Sequence, residues 1–206
     1  MTGPRRPRWP GADLPGRRIF IGAPLPDDAA SAVAALVDRV RAAGVPGGGR
    51  DVRWVRLDGL HLTLRFLGPT PDDRVEAARG AVRVAAPAVE PFDVAIGGAG
   101  TFPPADRPRA LWLGILDGSA ALANLAGTVD AALVDAGWPP ETRSFRSHLT
   151  LARADGVAAG SRIAARLIEA AAELRIGFRV DRIGLFESLT GGGPARYEPI
   201  ELAPLG

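Results

Sequence analysis

The chain has 206 residues, 47% of them hydrophobic, which suffices for one substantial core or for two small lobes sharing one. It contains no cysteine, so disulfides and thiolate metal sites are excluded, and no apolar run reaches the roughly 18 residues of a membrane span. All 25 basic residues are arginine, whose very high pKa lifts the pI to about 10.2 although the formal net charge is only +2. The expectation is a soluble cytoplasmic protein with at most a local basic surface.

Residues 1–16 carry Pro4, Pro7, Pro10 and Pro15 among Arg5, Arg6 and Arg8 and show no apolar period. They are expected to be a disordered basic tail ahead of a single two-lobed domain over 17–206. The run 18–23 reads as a buried strand closed by Pro24 and Pro26. Asp27 and Asp28 then open a helix with Val33, Leu36, Val37 and Val40 at helical spacing, ended by Gly44 and Pro46. Beyond a Gly47-Gly48-Gly49 loop, 52–56 and 60–67 read as strands, the second stopped by Gly68-Pro69. Thr70-Pro71-Asp72-Asp73 reads as a capped helix start, the helix running to about Ala86. A strand over 92–96, a glycine-rich turn and a strand over 110–115 follow. The second half predicts a helix over 119–136 ended by Gly137, a strand over 147–152, a helix over 161–174, and strands over 176–180, 182–188 and 196–202.

One tetrad occurs twice. His61-Leu62-Thr63-Leu64 and His148-Leu149-Thr150-Leu151 contain the only two histidines of the chain, 87 positions apart. In a strand, alternate side chains share a face about 6.6 Å apart, so each tetrad sets an imidazole beside a hydroxyl while both leucines point into a core. Strand, helix, tetrad strand, helix, strand recurs in both halves, which predicts two similar α+β lobes whose tetrad strands face each other across a cleft.

The stretches 18–23, 60–68, 148–153 and Leu185-Phe186-Glu187-Ser188-Leu189 resemble those of the two-histidine phosphoesterases. Within them the chain is most similar to the RNA 2′,3′-cyclic phosphodiesterase branch, first called 2′-5′ RNA ligases. The similarity spans roughly Arg18 to Leu202. It departs from the family at Ser147, where proline is common before the second histidine. The resemblance implies a bilobal, pseudo-two-fold fold, two antiparallel sheets facing across a central cleft with helices outside. It also implies His61 as proton donor and His148 as acceptor, phosphate binding by Thr63 and Thr150, and a further phosphate contact from Arg153.

The chemistry stands without the name. Opening a cyclic phosphodiester requires a base for the attacking water and an acid for the leaving ribose oxygen, and imidazole can serve as either near neutrality. Hydroxyls beside the imidazoles can donate to the non-bridging phosphate oxygens. A metal site is disfavoured, because neither tetrad carries carboxylates at ligand spacing. The expected partner is an RNA with a 2′,3′-cyclic phosphate end, acted on by a monomer without metal or other cofactor. A small cyclic phosphate or a 2′-5′ linkage is the alternative substrate, and a non-catalytic RNA-end-binding module is the alternative role. Arg65 shares the face of His61 by parity and is expected to form a surface ion pair. Phe20 is expected either to offer a stacking platform in the cleft or, more commonly, to be core.

Overall fold

The computed structural model of the protein describes residues 16–44, 52–103, 107–154, 158–189 and 194–206. Residues 1–15 of the expected tail, Pro46 with the Gly47-Gly48-Gly49 loop, and Gly191-Gly192-Gly193 lie outside the described residues. In chain order the elements are β1 (Arg17–Pro24), α1 (Asp27–Ala42), β2 (Arg53–Trp54), β3 (His61–Thr70) and α2 (Asp72–Ala85). Then come β4 (Phe92–Phe102), β5 (Ala110–Asp117), α3 (Ser119–Asp135), β6 (Leu149–Arg153) and α4 (Ala158–Ala170). The chain closes with β7 (Ile176–Val180), β8 (Arg182–Leu189) and β9 (Arg196–Pro204).

These strands form two antiparallel sheets, one in the order β3-β1-β8-β9 and one in the order β2-β6-β5-β4-β7. The tetrad strands β3 and β6 occupy equivalent places, each beside the strand that opens its unit, β1 or β5, and they contact each other between the sheets. The two lobes are nevertheless not the two halves of the chain. The amino-terminal sheet takes β8 and β9 from the end of the chain, and the other sheet takes β2 and β4 from the first half. Helices cross over too, since α3 packs on α2 and β3 while α1 packs on α4 and β7. One continuous apolar core results, containing Val33, Leu36, Val37 and Val40 of α1 together with Leu125, Val129 and Leu133 of α3. Among the described residues no helix is long and apolar enough to cross a membrane.

Several boundaries differ from the sequence reading for identifiable reasons. β3 does not stop at Gly68-Pro69 but continues to Thr70. It is an edge strand, where a proline without an N–H costs no ladder bond, and Gly68 takes a left-handed φ of 78° beside a β-bulge. Thr70 is therefore strand rather than cap: its buried hydroxyl donates to the Gly68 carbonyl at 3.1 Å, and α2 starts after Pro71 with no side-chain cap. The glycine-rich segment after Ile96 is likewise strand, with Gly98 at φ 58° where β4 bulges against β5. Gly16, the last residue of the expected tail, lies against the Thr70 carbonyl.

Both tetrad strands bulge at the same place. Ile21 pairs with Arg65 but Gly22 with Thr63, so Leu64 is the extra residue in β3; Leu111 pairs with Ala152 but Trp112 with Thr150, so Leu151 is the extra residue in β6. An extra residue inverts the side-chain alternation beyond it. The parity expected for Arg65 is thereby overturned. Arg65 turns away from the cleft, is only 8% exposed, and pairs with Asp130 of α3 at 3.0 Å and with Glu141 at 3.3 Å, donating as well to the Pro139 carbonyl at 2.7 Å. Its ion pairs are buried at the guanidinium rather than superficial, and they tie β3 to the segment that leads into His148. Removing one partner of such a pair strands the others without compensation. Arg65→Met is expected to lower unfolding free energy by about 3 kcal/mol in urea titrations, and a change under about 0.5 kcal/mol, the ordinary range for surface sites, would contradict the packing described.

Candidate active site

Each imidazole is held the same way. His61 Nδ1 lies 2.7 Å from the Gly59 carbonyl and His148 Nδ1 lies 2.7 Å from the Arg146 carbonyl, in both cases two residues upstream. A carbonyl can only accept, so Nδ1 carries the proton and Nε2 of the neutral ring keeps its lone pair. Both rings are also clamped by aromatic neighbours. Phe20 stacks on His61 at 4.4 Å between centroids and Tyr197 meets it edge-on at 4.9 Å. Phe102 meets His148 edge-on at 5.0 Å, with Trp112 at 6.4 Å. Gly22 makes the first stack possible, because a Cβ there would stand 3.1 Å from His61 Cδ2 and 3.0 Å from the Leu62 carbonyl oxygen.

Between the sheets lies a cavity of about 620 Å³ whose wall includes His61, Thr63, Thr150 and Arg153, four of the five residues expected from the sequence. His148 is not part of that wall, but its charge reaches His61 and helps to lower the His61 pKa. Leu62, Leu64, Leu149 and Leu151 are buried on the opposite side, as the alternation requires. The wall also carries Arg18 and Arg53, and no carboxylate is among its residues. Arg53 and Arg153 are direct cross-strand partners of β2 and β6. A concave site whose described lining carries arginines and no acid favours an anion. Among the described residues no three of His, Asp and Glu converge as a metal-ligating group.

Two imidazoles presenting Nε2, two hydroxyls and an arginine-bearing wall are the parts of a phosphoester site. Residues 25–192 match the 2′-5′ RNA ligase superfamily. The chain belongs to that superfamily. It is similar to the RNA 2′,3′-cyclic phosphodiesterase of Methanothermobacter thermautotrophicus, with 30% identity over 179 residues, 86% of this chain and 93% of that protein. It is also similar to the RNA 2′,3′-cyclic phosphodiesterase of Aeropyrum pernix, with 35% identity over 124 residues, 60% of this chain and 66% of the length of that protein. A solved structure from Thermus thermophilus has the same fold, with a TM-score of 0.72 at 24% identity over 91% of this chain and 97% of its own.

Against the pattern of the superfamily, the bulge explains why Arg153 reaches the cleft. It stands five residues after His148, an odd offset that would point it away in a regular strand, and the extra residue restores it to the face of Thr150. Among the described residues it has no carboxylate partner, and its charge adds to the lowering of the His148 pKa that burial causes. Phe20 is 1% exposed, so it is a floor beneath His61 and not a surface on which a base could stack. Tyr197, the only tyrosine, was not singled out by sequence reasoning; it is a half-buried cleft residue whose hydroxyl pKa is raised, chiefly by burial. The carbonyls of Gly59 and Arg146 were equally invisible, since backbone atoms leave no residue signature. Ser147 bonds to Ser119 at the start of α3, hydroxyl to hydroxyl at 3.0 Å, which anchors the segment ahead of His148. Glu187 of the carboxy-terminal motif pairs with Arg17 at 2.6 Å, while Ser188 beside it lines the cleft.

Burial holds the His61 pKa at about 4, against the upward pull of the Gly59 carbonyl, and the nearby His148 adds to the lowering. Burial also lowers His148, with Arg153 acting in the same direction. Both rings are therefore predominantly neutral at pH 7. Between pH 6.5 and about 4 the unfolded chain takes up a proton that folded His61 refuses, so stability falls as pH falls through this window and levels off below it. The His61 contribution to that loss is on the order of 3 kcal/mol. His61→Gln is expected to flatten the decline by about that amount in denaturant titrations at stepped pH, and parallel curves for both proteins would contradict the burial of the ring.

Proposed function

We propose that this protein is an RNA 2′,3′-cyclic phosphodiesterase that opens terminal cyclic phosphates to 2′-phosphomonoesters with His61 and His148 as the acid–base pair. The observation that carries the reading is the duplicated imidazole, each with Nδ1 tied to a carbonyl, with His61 in the wall of the cleft and His148 close enough for its charge to act on His61. The cyclic phosphate sits between the two rings. His148 Nε2 takes the proton of the attacking water as its oxygen bonds to phosphorus. The bond from phosphorus to the 3′ oxygen breaks, and His61 Nε2–H protonates that oxygen, leaving a 2′-phosphate and a 3′-hydroxyl. Thr63 and Thr150 donate to the non-bridging oxygens, and Arg153 balances the dianionic product. The direction of proton flow follows the resemblance to the two-histidine phosphoesterases. A single polypeptide supplies all these residues, and the working form is a monomer in the cytoplasm.

The lowered pKa values give this mechanism a loading step. A neutral His61 cannot donate, so the acid must acquire its proton when an anionic phosphate enters the cleft and favours the imidazolium. Because both imidazoles titrate below 6.5 in the free protein, kcat/KM is expected to peak on the acid side of pH 6.5 and to fall with a limiting slope of about one decade per pH unit above it. A maximum near pH 8 in a rate profile taken at low substrate concentration would contradict this.

The deciding experiment incubates the protein, in excess EDTA, with a short RNA ending in a 2′,3′-cyclic phosphate and resolves the product against 2′- and 3′-phosphate standards. A 2′-phosphate that requires both histidines is expected. General acid or base catalysis contributes about 10²- to 10⁴-fold, whereas a hydrogen bond to a charged group contributes roughly 1.5 to 3 kcal/mol. His61→Ala and His148→Ala should therefore lose more rate than Thr63→Ala and Thr150→Ala. Equal and mild losses in all four would remove the assignment, and activity confined to small cyclic phosphates or 2′-5′ linkages would move the substrate.

A further inference from the structure

His61 stands in the walls of two cavities. Behind the cleft, between α1, the turn before β3 and the strands β8 and β9, lies a second cavity of about 710 Å³. Gly59, Leu60, His61 and Tyr197 line both cavities, so these residues are the partition between them. Tyr197 reaches the partition from afar. It sits on β9, one edge of the sheet β3-β1-β8-β9, whereas His61 opens β3 at the other edge, three strand spacings or roughly 14 Å away in a flat sheet. Their rings nevertheless meet edge-on at 4.9 Å, and Tyr197 also meets Phe20 of β1 edge-on at 5.1 Å. The Tyr197 side chain thus spans the inner face of the sheet as a strap.

The same ring bears on the backbone group that holds the imidazole. Gly59 is not at a positive φ, so its backbone conformation does not call for glycine. Its surroundings do, because a Cβ there would stand 2.7 Å from Tyr197 Cδ2. The ring occupies the place of a side chain at 59, against the residue whose carbonyl accepts from His61 Nδ1 at 2.7 Å. The turn Leu57–Gly59 is a single 3₁₀ turn without a side-chain cap, a weak support for that carbonyl by itself. Phe20 and His61 in turn keep the tyrosine ring from yielding.

We propose that Tyr197 is a positioning residue for His61, its ring fixing the Gly59 carbonyl against Nδ1 and sealing the partition, so that the imidazole offers Nε2 alone to the cleft. The catalytic consequence rests on the phosphodiesterase reading, in which His61 is the acid; the positioning does not. Without the ring, the Gly59 carbonyl and the imidazole can rotate, and water from the second cavity reaches His61 from behind. Nδ1 then loses its fixed acceptor, both neutral tautomers form, and the burial that keeps the ring uncharged is relieved. The other titratable groups near the ring are His148 on β6, Asp27 on α1, Asp58 in the turn and Asp181 ahead of β8. They stay in place when Tyr197 is replaced, as do the arginines of both walls.

The test is NMR of the imidazole nitrogens in the full chain, titrated without substrate, with signals assigned through His61→Gln. In the wild type, His61 should show the Nδ1–H tautomer and a pKa of about 4. Tyr197→Leu should show both tautomers and a pKa moved toward 6.5, while His148, held by Phe102 and Trp112, keeps its own titration. Gly59→Ala, which displaces the ring from the other side, should do the same and carries the test should Tyr197→Leu fail to fold. The double variant should add little to either change. Tyr197→Phe retains the ring and should retain the wild-type spectrum. With a cyclic-phosphate RNA end, kcat of Tyr197→Leu is expected to fall about tenfold or more at little change in KM. An unaltered His61 tautomer and pKa in folded Tyr197→Leu or Gly59→Ala overturns the positioning role, and so does an equal shift of His148, the mark of general loosening. No turnover by the wild type, with the spectra changing as expected, overturns the phosphodiesterase reading and leaves the positioning role standing.

Discussion

One extra residue directly after the threonine of each tetrad decides what the cleft is made of. In a regular strand the residue four places after each histidine would share its face and the residue five places after would not. The bulges at Leu64 and Leu151 reverse this, sending Arg65 into the interior and bringing Phe66 and Arg153 to the cavity wall. The same displacement builds both the site and its support. Arg65, once turned inward, reaches Asp130, Glu141 and the Pro139 carbonyl, which lie on α3 and on the segment approaching His148. Glu141 in turn receives a hydrogen bond from Arg143 that, with Arg65 nearby, keeps its pKa at about 2. The carboxylate is therefore charged near neutrality.

The imidazoles show how burial and a backbone carbonyl together fix the tautomer of a base. Burial against Phe20 and Tyr197 drives the His61 pKa down, while the Gly59 carbonyl resists by stabilising a proton on Nδ1. The result is a ring fixed in orientation and neutral near pH 7, where an anion is needed to favour its charged form. His148 has the same arrangement with Arg146 and Phe102, and Arg153 adds a repulsive cation that an entering phosphate would neutralise. Substrate charge and ring protonation are coupled by this design, since each removes the penalty of the other.

Exchange between the lobes keeps the cleft geometry from depending on a hinge. Sheets built from contiguous halves would meet only at a linker. Here β8 and β9 return to the first sheet, β4 goes to the second, and α1 and α3 pack across, so that one apolar core underlies both walls. The outer face is bound by charge, with Glu201 of β9 accepting from Arg79 and Arg83 of α2.

The pairing of histidine with threonine, the burial of the four tetrad leucines and the helices were legible in the chain, because they depend on local periodicity and on residues that occur in only two places, and the resemblance of whole stretches pointed to the superfamily. Arg153 was legible from the resemblance alone, since strand parity would have placed it on the wrong face. Tertiary structure alone decided the rest. Bulges are visible only when two strands are paired, so the fates of Arg65 and Phe66 could not be read from either strand in isolation. The carbonyls of Gly59 and Arg146 have no side-chain signature. The continuation of β3 through Gly68-Pro69 depends on its being an edge strand, and edge position is a property of the sheet. Strand exchange between the repeats is likewise a choice of neighbours, made by long-range contacts that no local pattern encodes.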